Sequence, residues 1–501
     1  MINKINSARM GGLTVAVLLA LSGTAQAKIT ADEAARLGAD LTPLGGEMAG
    51  NADGSIPAYT GGMAQPPAGW SASQGYVDPF ADEKPLFTIT AANLAQYKDK
   101  VTPGMQALLA KYPSFKMPVD TTHRTAMVPA DVAAQVKQEA VNAELNGFGV
   151  ANLNGSTTPF PIPNNGLEAI WKDTVRYLGG GLERSYSSFP VRGSGDYYNL
   201  RIKENRVFDA NRDKQSDNRL LNYTARFLSP ATLAGTVQLV HEPIDQVKEV
   251  RNAWIYNTGQ RRVRRAPDLA YDNVNDGTEG LRVTDDFDGY NGAPDRFDWK
   301  LVGKKEMYIP YNDYKLGSKD VKYKDILTPS TPNPDYMRYE LHRVWVVEGT
   351  LRKDAKHVYG KRTMYLDEDS WTVVASDAYD TRGTLWRVGV HPMIQFYDAQ
   401  VPWYRANIWH DLSNGGYYLA GLANEESTPW KFGIKGRYVD FQPDALRRLG
   451  KKQLLRLSGT AQASFMEACA LAIQVYLYVV FTPLVMSGGA LSGLGQRLEL
   501  G

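Results

Sequence analysis

The chain has 501 residues, 43% of them hydrophobic and 22% charged, with 46 Gly, 27 Pro and one Cys, a composition that excludes a disulfide scaffold, a collagen and a wholly disordered chain. Lys and Arg total 56 against 54 Asp and Glu. So balanced a chain offers no global field for nucleic acid, and no nucleic-acid partner is expected.

Residues 1–27 open with Lys4 and Arg9, continue through an apolar run from Leu13 to Leu21, and close on Ala25-Gln26-Ala27. These are the three parts of a secretory signal peptide, with cleavage predicted before Lys28. The apolar run is short for a bilayer core of about 30 Å, which disfavours an uncleaved anchor. An exported chain with a lone Cys469 forms no internal disulfide, and the apolar neighbours of that thiol disfavour a nucleophile.

Residues 28–76 are rich in Gly, Ala and Pro, with one short helical pattern at Ala31–Leu37. They read as an extended segment that wraps the body without a core of its own. Residues 77–196 read as a helical region packing on a sheet. Thr90 is placed to cap a helix carrying Leu94, Tyr97 and Val101. Thr102-Pro103 starts a second helix with Leu108 and Leu109, and a third follows Pro129 with Val132, Val136 and Ala140 on one face. Asn165 and Glu168 have capping-box spacing for a fourth, carrying Ile170 and Trp171 and ended by Gly179-Gly180-Gly181.

From about Tyr197 the apolar period becomes two and stays so, which makes residues 197–452 a β-rich body. Leu221, Tyr223, Ala225 and Phe227 alternate with Asn222, Thr224 and Arg226; Val237 and Leu239 alternate with Thr236 and Gln238. A hairpin is predicted from Arg362–Leu366 through Asp367-Glu368-Asp369 to Trp371–Ser376. Long antiparallel strands with an apolar face must be covered by helices or curl around a cavity.

No catalytic residue, cofactor or metal site is expected. The six histidines are scattered, and the Asp272–Gly277 stretch fails as a calcium loop because Val274 and Val283 fall where oxygen ligands belong. Asp285, Asp286 and Asp288, like Asp367, Glu368 and Asp369, read as acids in turns, which are usually solvated. Arg261, Arg262, Arg264 and Arg265 form the sharpest charge feature; they are candidates for contact with anionic headgroups or a partner, or else a solvated edge strand.

Several stretches in order carry a resemblance: Gly50 to Pro57 with Gly61-Gly62, Pro159 to Pro163 leading into Asn165 to Trp171, Leu228-Ser229-Pro230 before His241-Glu242-Pro243, Arg261 to Pro267, Asn291 to Arg296, and Tyr365 to Trp371. Together, from Lys28 to Lys452, they resemble a family of exported Gram-negative proteins, a domain of unknown function labelled outer-membrane-lipoprotein-sorting-like, of the LolA/LolB-like superfamily. The resemblance implies an α+β, β-rich fold: a strongly curved incomplete antiparallel β-barrel covered by helices, with an extended N-terminal segment. It also implies a periplasmic, non-enzymatic carrier of lipids or other hydrophobic molecules, associated with a resistance-nodulation-division type exporter and an outer-membrane protein. An adaptor that docks such a partner without holding a ligand is the alternative. Candidate cavity residues are Phe227, Leu239, Trp254, Trp345, Trp371 and Trp386, against the simpler alternative, for any one of them, of ordinary core.

Residues 453–501 depart from this pattern. Ala468–Met486 is uncharged and long enough to span a membrane, yet Arg447, Arg448, Lys451, Lys452 and Arg456 precede it on the side that export carries outward, against the usual charge rule. A foreign tail, a C-terminal anchor and a helix buried on the body all remain open.

Overall fold

The computed structural model describes residues 29–153, 158–267 and 269–451. The predicted signal segment, Cys469 and residues 453–501 lie outside the described residues. One sheet of 16 strands runs through the body, in an α+β arrangement with few helices. From one edge it passes through Phe87–Ile89, Met117–Val119, Tyr339–Leu351, Tyr359–Asp367, Val373–Asp380, Leu385–Val390, Asn407–Asp411 and Tyr417–Leu422. It continues through Gly181–Val191, Leu200–Phe208, Arg219–Phe227, Val237–Pro243 and Asn252–Asn257 to the far edge, Arg262–Arg265; off this path Phe297–Pro310 pairs along Tyr339–Leu351, and Lys431–Phe432 pairs with Gly181–Val191. Among the described residues these two edge strands do not pair, so the sheet is open.

Both faces of the first half are covered, and the alternation of side chains decides what covers each. Val344, Val346, Val388, Val390 and Ile408 meet Met105, Leu108 and Leu109 of the helix Pro103–Lys111. On the other face Val347, Met364, Leu366 and Val373 meet Val132 and Val136 of the helix Ala130–Asn142 and Ala169 and Ile170 of the helix Gly166–Thr174. Each such fully buried aliphatic contributes about 1.5–3 kcal/mol. The helix ends follow local chemistry: the Thr102 hydroxyl accepts from the Met105 N–H at 3.1 Å, and the Asn165 side chain accepts from the Glu168 N–H at 2.9 Å.

Several expectations need correction. No helix forms after Thr90; two single 3₁₀ turns, Leu94–Gln96 and Lys98–Lys100, stand there, because Asn93 takes the Thr90 N–H with its side chain and breaks the run. The fourth helix ends at Thr174, before the glycines. The sheet begins ahead of Tyr197: the short strands Phe87–Ile89 and Met117–Val119 already belong to it, as does Gly181–Val191, a mostly buried strand without a polar face. The acids in turns are not solvated: all six are buried, Asp285, Asp286, Asp288, Glu368 and Asp369 each with an arginine brought from distant sequence and Asp367 with the nearby Ser370 hydroxyl. The predicted hairpin forms, with Arg362 to Leu366 paired to Ala378 to Val373.

The N-terminal segment lies on this body. Its helix Ala31–Ala35 packs with Leu37 and Leu41 against Ala140, and Lys172 pins the chain further on, donating from its buried ammonium to the carbonyls of Leu44 and Pro161 at 2.5 and 2.6 Å.

Candidate functional site

The second half of the sheet leaves one face incompletely filled. Because directly opposed residues share a face, the registers Tyr186 to Ile202 to Phe227 and Glu204 to Ala225 to Gln238 set one continuous surface across four strands. The connection from Leu269 to Asn291 lies over this surface without closing onto it. Between them is a cleft of about 1010 Å³, its open mouth included. Leu200, Ile202, Leu221, Tyr223, Ala225, Phe227 and Val240 make the sheet wall, and Leu269, Thr278, Arg282 and Phe287 belong to the covering connection.

The covering connection is held down by charge. Asp285 accepts from Arg362 at 2.9 Å and stands 3.1 Å from the His357 ring nitrogen; Asp286 accepts from the other arm of Arg362 at 2.7 Å; Asp288 accepts from Arg206 at 2.7 Å. Burial pushes the carboxyl of Asp285 up, but the Arg362 guanidinium and His357 outweigh it and hold it below the usual carboxylate range. Asp288 is held low in the same way, burial being outweighed by Arg206 and Arg176. Asp285 and Asp288 are thereby held as carboxylates, each facing a guanidinium, and are not a pair poised for proton transfer.

The structure disperses the sequence candidates. Phe227 lines the cleft. Leu239 and Trp254 are opposite each other on the reverse face, since Val240 and Gln238 are the residues paired with Tyr223 and Ala225; there they pack with Phe441 and Leu446. Trp345 and Trp371 stack on each other at 5.9 Å under the helix Gly166–Thr174, with the Lys172 ammonium 3.5 Å from the Trp371 ring centre. Trp386 packs on Tyr359 and donates its indole N–H to Asp411 at 3.0 Å. Arg262 to Arg265 form the free edge strand, with Arg262, Arg264 and Arg265 exposed, and Arg261 occupies the turn before it at a φ of 52°. The cleft residues Leu200, Ile202 and Val240 escaped notice, though register from the Leu221 to Phe227 alternation would have pointed to them. Nothing local marked Arg282 or Phe287.

One group of potential metal donors exists among the described residues: His342, Asp367 and Asp369, with ligand atoms within 4.8 Å of one another. Its members are largely committed elsewhere. Arg124 holds both oxygens of Asp369 at 2.6 and 2.8 Å, and the ring of His342 stands 3.0 Å from Glu340. Burial, with the neighbouring charge of Asp369, pushes the Asp367 carboxyl up to about 6, so a proton is an alternative to a cation there.

The family model described as "Protein of unknown function (DUF1329)" matches residues 88–447. An uncharacterised protein of Pseudomonas aeruginosa is 48% identical over 444 residues, 87% of this chain and 97% of that one. Among solved structures, a Vibrio parahaemolyticus domain assigned to outer membrane lipoprotein sorting overlaps 56% of this chain and 98% of its own, at 14% identity and a TM-score of 0.40. A DUF1329 family protein from Desulfovibrio piger overlaps 54% and 92%, at 14% identity and a TM-score of 0.37. The chain belongs to the DUF1329 family.

Proposed function

We propose that this member of the DUF1329 family is a periplasmic, non-enzymatic carrier that keeps a lipid chain or another hydrophobic molecule out of water. The observation that carries this reading is the cleft between the sheet and the Leu269 to Asn291 connection, walled by Leu200, Ile202, Leu221, Ala225 and Phe227. Each methylene transferred from water to such a wall is worth about 0.8 kcal/mol. A site of this size suits one slim chain or ring system rather than a bundle of chains.

In this reading the sheet curls as an incomplete barrel around its cargo, and the candidate partners are a resistance-nodulation-division type exporter and an outer-membrane protein. Among the described residues no helix is long and apolar enough to cross a membrane. The test is native mass spectrometry of protein taken from the periplasm, followed by organic extraction. A co-purifying hydrophobic molecule is expected, with added ligand raising the melting temperature. No bound molecule and no thermal protection by any acyl or aromatic ligand would leave the carrier reading without support, and the docking adaptor would replace it.

A further inference from the structure

A guanidinium removed from water is retained only where something meets its charge and its five N–H groups. Eleven arginines are buried among the described residues, and nine of them have a carboxylate oxygen within 3.5 Å. Arg282 and Arg405 have none.

Arg282 is 6% exposed, and no hydrogen bond or ion pair from its side chain is present among the described residues; its Nε is buried without a partner. What surrounds it is aromatic: the guanidinium carbon is 5.2 Å from the ring centres of Phe287 and Trp409 and 5.5 Å from that of Tyr418. Ring faces attract the cation but accept few hydrogen bonds, so its donors are left open. Arg282 also lines the cleft, which the other buried cation there, Arg206, shares only after pairing with Glu204 and Asp288. Arg405 differs in place: it lies in a smaller cleft under Trp70 and Tyr76 of the N-terminal segment, where Gly317 offers a distant carbonyl at 3.4 Å.

A second observation concerns the sheet edge. Arg264 is paired with Ile255, and Ile255 with Gln238, a cleft residue. By the period of two, Arg264 and Arg262 therefore stand on the cleft face of the free edge, and both are exposed. Positive charge thus flanks the cleft outside as well as inside; the acids that also line it are Glu242, paired with Arg251, and the exposed Asp276, which leaves the arginines in excess there.

We propose that the cargo is an anionic amphiphile whose carboxylate or phosphate is bound by Arg282, with its hydrocarbon against Ile202, Leu221, Ala225 and Phe227. This rests on the carrier reading and adds the class of ligand to it. The guanidinium presents a planar fork to either oxyanion, and the aromatic wall excludes the water that would otherwise compete.

The test is competition on the full chain against the neutral fluorophore N-phenyl-1-naphthylamine, with hexadecanoate, hexadecyl phosphate and 1-hexadecanol as probes. At least a tenfold preference for one of the anions over the alcohol is expected, and which anion is preferred separates a fatty acid from a phosphate headgroup. In Arg282→Gln the preference should fall to about one while the alcohol binds as before; Arg282→Lys should keep part of it and serves if the Gln variant does not fold. Equal binding of anions and alcohol by the unaltered protein overturns the anionic cargo but leaves the carrier. Failure of the fluorophore and all three probes to bind overturns the carrier reading itself.

Discussion

Replacing Arg362 by Met separates the anchoring of the covering connection from its mere contact with the sheet. Arg362 is 2% exposed and is shared by Asp285 at 2.9 Å and Asp286 at 2.7 Å. Removing one partner of a buried ion pair costs about 3–5 kcal/mol, because the other charge stays buried and unmet. With an unfolding entropy of about 2.1 cal/mol/K per residue over roughly 420 residues, that loss lowers the melting temperature by about 3–6 °C. The pH dependence gives the sharper signature. In the native protein the Arg362 guanidinium and His357 hold the Asp285 carboxyl below the usual carboxylate range against the effect of burial, so it adds stability that is present above its unfolded pKa and is lost as the pH falls through the folded value. Without Arg362 burial dominates, the carboxyl rises above its unfolded value, and the penalty is largest at neutral pH and shrinks on acidification. Urea unfolding followed by tryptophan fluorescence at pH 7.5 and pH 5 reads both effects. A variant within 1 kcal/mol of the parent at pH 7.5, with a parallel pH profile, would refute the anchoring role.

Other consequences are simpler. Gly45 has a φ of +93°, and a Cβ there would lie 2.0 Å from the Pro161 carbonyl oxygen; Gly45→Ala should cost more than about 1 kcal/mol and speed proteolysis of the N-terminal segment, measured by limited digestion. Burial pushes the Lys172 ammonium well below its ordinary 10.5, so the folded chain binds fewer protons than the unfolded one and stability rises with pH between the folded value and 10.5. Against Lys172→Met, which lacks that group, the parent should gain stability from pH 7 to pH 9 in parallel denaturant titrations.

Legibility in the sequence followed the range of the interaction. Thr102 and Asn165 cap helices through bonds spanning three residues, so a local pattern sufficed. The alternation of Leu221, Tyr223, Ala225 and Phe227 marked a strand face correctly, and that face is the cleft wall. The same alternation grouped Val237 with Leu239 but could not say which side of the sheet they face: they turn to Phe441 and Leu446, and Gln238 and Val240 turn to the cleft. The acids were misjudged as solvated because Asp285 meets Arg362 across 77 residues and Asp369 meets Arg124 across 245. The unpaired state of Arg282 is likewise a property of the whole fold.

The central claim is that the cleft holds cargo, and a plug placed in it tests this most directly. Val240 lines the cleft opposite Tyr223 and is half-buried, so Val240→Trp projects an indole into the space while remaining a good strand residue. Fluorophore titration of parent and variant, with melting temperatures alongside, is the measurement. The account predicts at least a tenfold loss of affinity with the melting temperature within about 3 °C of the parent. Unchanged binding in a folded variant would place the ligand elsewhere and contradict it.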